Sequence, residues 1–415
     1  MGSYEVVPFP EAKPSVLIPE INVGTVGHVD HGKTSLVQAL TGKWTDTHSE
    51  ELKRGITIRL GYADAIFYQC KQCKLYGVSR KCVSCFSECA EKRAVSFIDA
   101  PGHETLMATV LSGASLMDGA LLVIAANEKC PQPQTAEHLK ALDVVGIRNI
   151  IIVQNKVDIV SKERAIESHN EIKAFVKGTV AEKAPVVPAS AIHNVNIDAL
   201  IEAIEAIIPT PKRDETKEPR FFAARSFDVN RPGTAIRELK GGVVGGSLVS
   251  GVLKVKDTIE IKPGVKVNDA WKPLETTIAG IIQSGVHIDT ARPGGLVALQ
   301  TELDPSLTKS DSLSGNIIGI KGKLPETKSE LKFKVELFDH VVGIEGKQKV
   351  DPVKTGDVLM ITVAIAKTVA IVQSAAKGVC QAKLKLPVCA EKSDKISISR
   401  QVGGRWHLIG YGIIL

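Results

Sequence analysis

Eight residues constrain this chain more than any others: Gly27-His28-Val29-Asp30-His31-Gly32-Lys33-Thr34. They follow an apolar run, Ile21 to Val26, that reads as a buried strand. They precede Leu36, Val37, Ala39 and Leu40, spaced for a helix packed on that strand. The pattern G-x-x-x-x-G-K-[ST] in this setting is a phosphate-binding loop. Its two glycines let the backbone turn tightly, so that N–H groups and the helix N-terminus face phosphate oxygens. Lys33 is placed for the terminal phosphates and the Thr34 hydroxyl for magnesium.

Apolar strand-like runs and amphipathic stretches alternate from about Ile21 to Ile208. Strands are expected at Gly61 to Tyr68, Ala94 to Ile98, Ala120 to Ala126, Asn149 to Val153 and Val186 to Ala189. Helices are expected at Glu104 to Leu116, Thr135 to Val145, Lys162 to Lys177 and Ile197 to Ile207. That alternation predicts an α/β domain with a mostly parallel sheet. Pro209-Thr210-Pro211-Lys212-Arg213-Asp214-Glu215 breaks it and reads as a linker. Beyond it, short β-branched runs punctuated by glycine carry no helical period, which predicts all-β barrels. With 415 residues, too many for one core, the expected division is a nucleotide-binding domain over 1–210, a barrel over 211–325 and a C-terminal barrel over 326–415.

Three stretches complete the loop in the places where a P-loop GTPase needs them, at the carboxyl ends of strands. Asn155-Lys156-Val157-Asp158 follows a strand, and the Asp158 carboxylate can accept from guanine N1–H and the exocyclic amine. Adenine would leave that carboxylate unpaired, which selects GTP over ATP. Ser190, Ala191 and Ile192, after the last strand, would support the base. Asp30, His31, Gly32, Lys33, Thr34 and Ser35 would bind the nucleotide, with Gly102 N–H on the γ-phosphate. Asp99, in Asp99-Ala100-Pro101-Gly102-His103, would hold magnesium through a water, and Thr57 would be its second protein ligand beside Thr34. His103 is the candidate for positioning the attacking water; a lone histidine at a helix start is as often a cap. The loop carrying Thr57 would be ordered by the γ-phosphate, a switch.

Five of the eight cysteines lie between Cys70 and Cys89. Cys70-x-x-Cys73 and Cys82-x-x-Cys85, eight residues apart, match four thiolates around a structural zinc, with Cys89 an alternative ligand. This knuckle, about 69–90, sits between the two switch stretches as an insertion in the nucleotide domain. A disulfide framework is disfavoured, as is a redox site, because a thioredoxin-like context is missing. No apolar run approaches the roughly 20 residues of a membrane span, and no signal peptide is visible, so a cytoplasmic protein is expected. The last 90 residues hold 14 Lys and Arg against 9 Asp and Glu, which fits a polyanion partner or a solvated lysine-rich surface equally well. Aromatic residues are only 4%, which disfavours a single-strand binder built on stacked aromatic platforms.

Gly27 to Thr34, Arg54-Gly55-Ile56-Thr57-Ile58, Asp99 to His103, Asn155 to Asp158 and Pro131-Gln132-Pro133-Gln134-Thr135-Ala136-Glu137-His138 resemble the elongation factor Tu family of translational GTPases. Trp44 to Lys53, the four-cysteine insertion and Ser226-Phe227-Asp228-Val229-Asn230-Arg231-Pro232-Gly233 resemble, within it, the gamma subunits of archaeal and eukaryotic initiation factor 2. The intact cysteine set and short N-terminus look more like the archaeal branch. The resemblance implies a GTP-dependent carrier of initiator methionyl-tRNA to the small ribosomal subunit. It implies a heterotrimer, with an alpha subunit on the second domain and a beta subunit on the nucleotide domain. It also implies an apolar gate, Val29 and Ile56, screening His103 from the γ-phosphate, and a second magnesium at Asp30 and the Gly55 carbonyl. Rival readings are an elongation factor, ordinary or selenocysteine-specific, an assembly module with a vestigial site, and a GTPase subunit of a sulfate-activating enzyme.

Overall fold

The computed structural model describes residues 17–45, 57, 59–344 and 348–415, with residues 104 and 236 described by backbone alone. The phosphate-loop strand β1 (Ile21–Val26) lies at the centre of a seven-stranded sheet. Its other strands are β2 (Gly61–Cys70), β3 (Tyr76–Gly77), β4 (Cys89–Asp99), β5 (Gly119–Ala125), β6 (Ile150–Asn155) and β7 (Val186–Pro188), in the order β3-β2-β4-β1-β5-β6-β7. From β4 to β7 the pairing is parallel. The edge departs from a parallel sheet: β2 and β3 run antiparallel, because β2 returns directly through the cysteine hairpin into β4 without a crossover helix.

Side chains along the central strands alternate between two cores. Leu121 and Val123 of β5 join the cluster with α1 (Lys33–Thr41) and Ile197, Leu200, Ile201 and Ile204, whereas Leu122 and Ile124 join the opposite one. On that second face lie α2 (Met107–Ala114), α3 (Pro133–Val145) and α4 (Lys162–Val176), while α5 (Ile197–Ile207) shares the first face with α1. Both faces being covered, β1, β5 and β6 are buried at every residue. The helix expected from Glu104 starts as a 3-10 turn, Glu104–Leu106, and becomes α-helical only at Met107. The Asn155 motif begins on the last residue of β6, which runs two residues beyond the expected end.

The second domain contains β8 (Arg220–Phe227), β9 (Val243–Ser250), β10 (Leu253–Lys254), β11 (Thr258–Val267), β12 (Ala270–Gln283), β13 (Val286–Ile288), β14 (Thr290–Ala291), β15 (Val297–Thr301) and β16 (Ile317–Ile320). Six of them close through the β11–β12 pairing, β13 flanks β12, and β10 and β14 form a separate ribbon. The third comprises β17 (Thr327–Leu337), β18 (Val358–Val363), β19 (Ala366–Ala376), β20 (Val379–Cys389), β21 (Lys395–Val402) and β22 (Arg405–Ile414), closed by β17–β22. Closure pairs each strand of the two six-stranded rings on both sides and leaves one apolar interior per barrel.

Polar contacts seat the barrels on the nucleotide domain. Asn22 donates to Ser247 at 3.0 Å, Ser284 to Asp64 at 2.8 Å, and Ser112 to the Ile365 carbonyl at 2.7 Å. The linker is docked too: Arg213 donates both to Asp118 carboxylate oxygens, at 2.6 and 2.7 Å.

Candidate nucleotide site and cysteine cluster

Why the loop carries its two glycines is visible in the packing. Gly27 has φ 142°, and a Cβ there would lie 2.3 Å from the Val123 carbonyl oxygen. Gly32 has φ 86°, and its Cβ would lie 2.4 Å from Asn155 Nδ2. The loop therefore presses against the ends of β5 and β6, and side chains at either glycine would push it away. His31 is turned from the cleft into the core, with Nδ1 3.1 Å from the Val123 carbonyl and Nε2 3.3 Å from Glu128. Its imidazole is not placed to touch phosphate, so of the expected phosphate contacts this residue can offer only its backbone. Burial drives its pKa down to about 4, keeping the ring neutral.

Asp99 is the hub of the cleft. Its Oδ1 accepts from Thr25 at 2.8 Å, and its Oδ2 from Thr34 and Thr45, each at 2.7 Å. The Thr57 hydroxyl lies 3.1 Å from that of Thr34. Three residues assigned to magnesium are thus gathered within one hydrogen-bonded group of oxygens, the donor type that a hard divalent cation takes. Lys33 Nζ donates to the His28 carbonyl at 2.7 Å, next to Gly102, where an added Cβ would come within 2.4 Å of Nζ and 2.9 Å of the Val29 nitrogen. Val29, Asp30, Gly32, Lys33, Thr34, Ser35, Thr57, Gly102 and His103 line one cleft of about 340 Å³, together with Trp44. His103 Nδ1 is 2.9 Å from the Thr105 hydroxyl, so its ring also caps the turn that follows. Gly55 and Ile56 lie outside the described residues.

A second pocket, about 170 Å³, adjoins the first through Gly32, Ser35, Lys156 and Ile192. Asn155, Asp158, Ile159, Ser190 and Ala191 complete it. Asn155 clamps its walls together: Nδ2 donates to the His31 carbonyl at 2.9 Å, and Oδ1 accepts from the Ala191 N–H at 3.1 Å. A hydrogen bond from the Ser190 hydroxyl holds the Asp158 carboxyl below the usual carboxylate range, so it presents a charged acceptor. Phosphate loop, Asp158 and the 190–192 turn therefore line one continuous trough.

The Sγ atoms of Cys70, Cys73, Cys82 and Cys85 all lie within 4.8 Å of one another, a group able to hold a metal ion. Hydrogen bonds from Ser87 bring the Cys85 thiol down to about 6, and the Cys73 N–H lowers that of Cys70. Both are thereby shifted toward the thiolate form that a metal requires, whereas the contact with Cys82 pushes the Cys73 thiol up to about 12. Cys89 stands outside the group: it faces Cys70 across the β2–β4 ladder, with its thiol 3.9 Å from the Ser87 carbonyl.

Several residues of the site were not legible in the sequence. Thr25 and Thr45 share the Asp99 carboxylate, and Trp44 walls the cleft. His138 accepts the Gly27 N–H at 2.8 Å through Nδ1, which it can do because burial holds it neutral, with a pKa of about 3. Thr25 left a signal of its own, a polar residue near the end of an otherwise buried strand, whereas Trp44, Thr45 and His138 fell in stretches singled out by resemblance with no role attached. A further cleft, about 360 Å³, separates the nucleotide domain from the first barrel and is lined by Tyr62, Arg225, Phe227, Gly245, Gly246 and Ala298. The Tyr62 hydroxyl is buried there without a hydrogen-bond partner. Among the described residues no helix is long and apolar enough to cross a membrane.

Residues 19–210 match the family model described as "Elongation factor Tu GTP binding domain", and 329–414 match "Initiation factor eIF2 gamma, C terminal". The chain is 57% identical to translation initiation factor 2 subunit gamma of Methanococcus maripaludis, over 95% of this chain and 98% of that one. It is 55% identical to the protein of the same description from Methanocaldococcus jannaschii, over 95% and 97%. Among solved structures, a bacterial selenocysteine-specific elongation factor matches with TM-score 0.72 and 25% identity, over 95% of this chain and 58% of that one. Elongation factor SelB of Methanococcus maripaludis, in complex with a GTP analogue, matches with TM-score 0.70 and 22% identity, over 96% and 80%, a likeness of fold alone.

Proposed function

Because this chain belongs to the gamma subunits of translation initiation factor 2, translational GTPases with an elongation factor Tu-type GTP-binding domain, we propose that its GTP form carries initiator methionyl-tRNA to the small ribosomal subunit. It acts in the cytoplasm within a heterotrimer, with the alpha subunit on the first barrel and the beta subunit on the nucleotide domain. Hydrolysis of GTP weakens its grip on the tRNA.

One observation carries the switch: both segments that meet at the phosphate loop run straight into contacts with a barrel. Two residues past Thr57, Arg59 pairs with Asp311 of the first barrel at 2.7 Å, and Arg225 of that barrel donates to the same carboxylate at 2.9 Å. Past Gly102 and His103, the chain enters α2, where Ser112 donates to Ile365 of the second barrel, and Thr109 accepts from Lys367 at 3.2 Å. A γ-phosphate that draws in the Thr57 hydroxyl and the Gly102 N–H therefore pulls on surfaces that border the inter-domain clefts. The cleft with the unpaired Tyr62 hydroxyl is the place for the aminoacyl-acceptor end, where that hydroxyl and Arg225 can find polar partners.

Thr34, Thr57 and, through a water, Asp99 would hold magnesium, and Asp30 with the Gly55 carbonyl would hold a second ion. Magnesium bound there supplies neutralisation of the charge on the β- and γ-phosphates. Asp158 reads guanine, with Asn155, Lys156 and the 190–192 turn fixing its surroundings. His103 positions the attacking water, and Val29 with Ile56 screens it until the ribosome opens the gate. The four cysteines hold a structural zinc, which leaves no position open for catalysis.

Filter binding of methionyl initiator tRNA against elongator methionyl-tRNA tests the reading, with GTP analogue or GDP, with and without the partner subunits. The expected result is preferential retention of the initiator tRNA in the GTP-analogue state. Equal retention with both nucleotides would sink the switch, and no tRNA retention in any combination would sink the carrier.

A further inference from the structure

A cavity of about 390 Å³ lies where all three domains meet, within the size range of sites that enclose small molecules. Leu111 of α2, Val144 and Val145 of α3, and Phe222, Val249 and Ile317 of the first barrel give it apolar walls. The outer face of the second barrel supplies the rest. Ile361 and Val363 of β18, and Ile396 and Ile398 of β21, belong to that barrel's core. Their neighbours Thr362, Lys395 and Ser397 therefore face outward, and all three line the cavity. None of these residues lines the nucleotide pockets or the cleft proposed for the acceptor end.

The polar wall is unfinished. Thr362 and Ser397 are each only 5% exposed, and both hydroxyl oxygens are buried without a hydrogen-bond partner. Buried hydroxyls are ordinarily paired, and one left unpaired costs stability. A turn about χ1 to another staggered position brings either hydroxyl round to the cavity without breaking a bond. Ser397 stands opposite Thr362 on one neighbouring strand and opposite Tyr411 on the other. Lys395 Nζ rests over the Tyr411 ring, 4.3 Å from its centre, so two hydroxyls and an ammonium collect in one patch. That ammonium has no carboxylate partner among the described residues, because the carboxylates around it are engaged elsewhere. Asp143 is held by Lys140 at 3.2 Å and Arg148 at 2.9 Å. Of the two carboxylates lining the cavity, Glu391 pairs with Arg220 at 2.8 Å, and Asp394 accepts the Glu391 N–H at 2.7 Å.

Three donors without an acceptor, beside an apolar chamber, describe one ligand chemistry: an apolar body ending in a carboxylate. A polyphosphate would bring more negative charge than one free ammonium offsets, and a cationic ligand would be repelled by Lys395. We propose that this three-domain cavity binds small carboxylic acids with an apolar body, the carboxylate held by Lys395 and the hydroxyls of Thr362 and Ser397. Bound there, the acid touches α2 and both barrels at once, and so favours the docked arrangement of the domains.

Calorimetric titration of the full chain with phenylbutyrate, indolepropionate and octanoate, each against its neutral amide, tests this. At least one acid should bind, about tenfold or more tighter than its amide, the difference made by hydrogen bonds to a charged group. Lys395→Gln, at an exposed position, should bring that acid down to the affinity of its amide. Thr362→Val keeps the shape of the side chain and removes the hydroxyl, so its two effects have opposite signs. Binding of the acid should weaken about tenfold. The melting temperature of the free chain should rise by about 2 °C, because an unpaired buried group is gone. No binding by any of the three acids, equal binding of acid and amide, or unchanged binding by Lys395→Gln would each overturn the proposal. So would a lower melting temperature in Thr362→Val, the sign that a resident water already pairs the hydroxyl. Neither GTP nor tRNA enters these measurements, so a failure here leaves the carrier reading untouched.

Discussion

Replacing Asp311 by alanine would cut the connection between the Thr57 segment and the first barrel. The carboxylate accepts from Arg59 Nη1 at 2.7 Å, Arg225 Nε at 2.9 Å and the Ser226 N–H at 3.0 Å. Exposed ion pairs are worth about 0.2–1 kcal/mol, and breaking a fully buried one costs about 3–5 kcal/mol. Asp311 is 18% exposed, with the arginines at 38% and 31%, so screening discounts the buried figure and about 2 kcal/mol is expected. That corresponds to a factor of about 30 and bounds what this link can pass from the nucleotide to the tRNA. The assay is tRNA filter binding in the GTP-analogue and GDP states, with amide exchange at Ser226 confirming that the contact is gone. The ratio of the two affinities should shrink by up to about 30-fold, while GTP affinity itself stays near that of the parent. Asp311→Asn, which keeps an acceptor for Ser226, should lie between the two. A ratio unchanged while Ser226 exchange accelerates would refute the mechanical link.

Asp158→Asn should lower GTP affinity tenfold or more, about 1.5–3 kcal/mol for hydrogen bonds to a charged group, and admit xanthosine triphosphate. Competition binding reads both effects, and a variant that still rejects xanthosine triphosphate would contradict the base-reading role. His103→Ala should leave GTP affinity nearly intact and slow ribosome-stimulated hydrolysis by at least about a hundredfold; unchanged turnover would remove His103 from the chemistry. Burial holds His31 near 4 and His138 near 3, both below the ordinary 6.5. The unfolded chain therefore binds protons that the folded one refuses. Stability is complete above pH 6.5 and falls as the pH drops toward 4, by roughly 1.4 kcal/mol per pH unit for each ring. His138→Asn keeps an acceptor for Gly27 and should make the decline shallower by one proton in urea unfolding at pH 7 and 5; an equal slope in the variant would discard His138 as a source.

Local patterns determined much of this molecule. The glycine spacing of 27–34 and the apolar runs around it specify a strand, a tight turn and a helix, because turn conformation and one-sided burial are properties of neighbouring residues. The same holds for the strand-end position of Asp158 and for the paired Cys-x-x-Cys turns, whose four thiols do converge. Tertiary packing alone decided what those patterns leave open. It turned the His31 imidazole into the core and brought Thr25 and Thr45 onto Asp99, from 74 and 54 residues away. It returned β2 antiparallel against β4, and joined Arg59 to Asp311 across 252 residues. Periodicity records which side of an element is buried; which distant group it meets there depends on how closed sheets and docked barrels fill space, and no short stretch of chain contains that information.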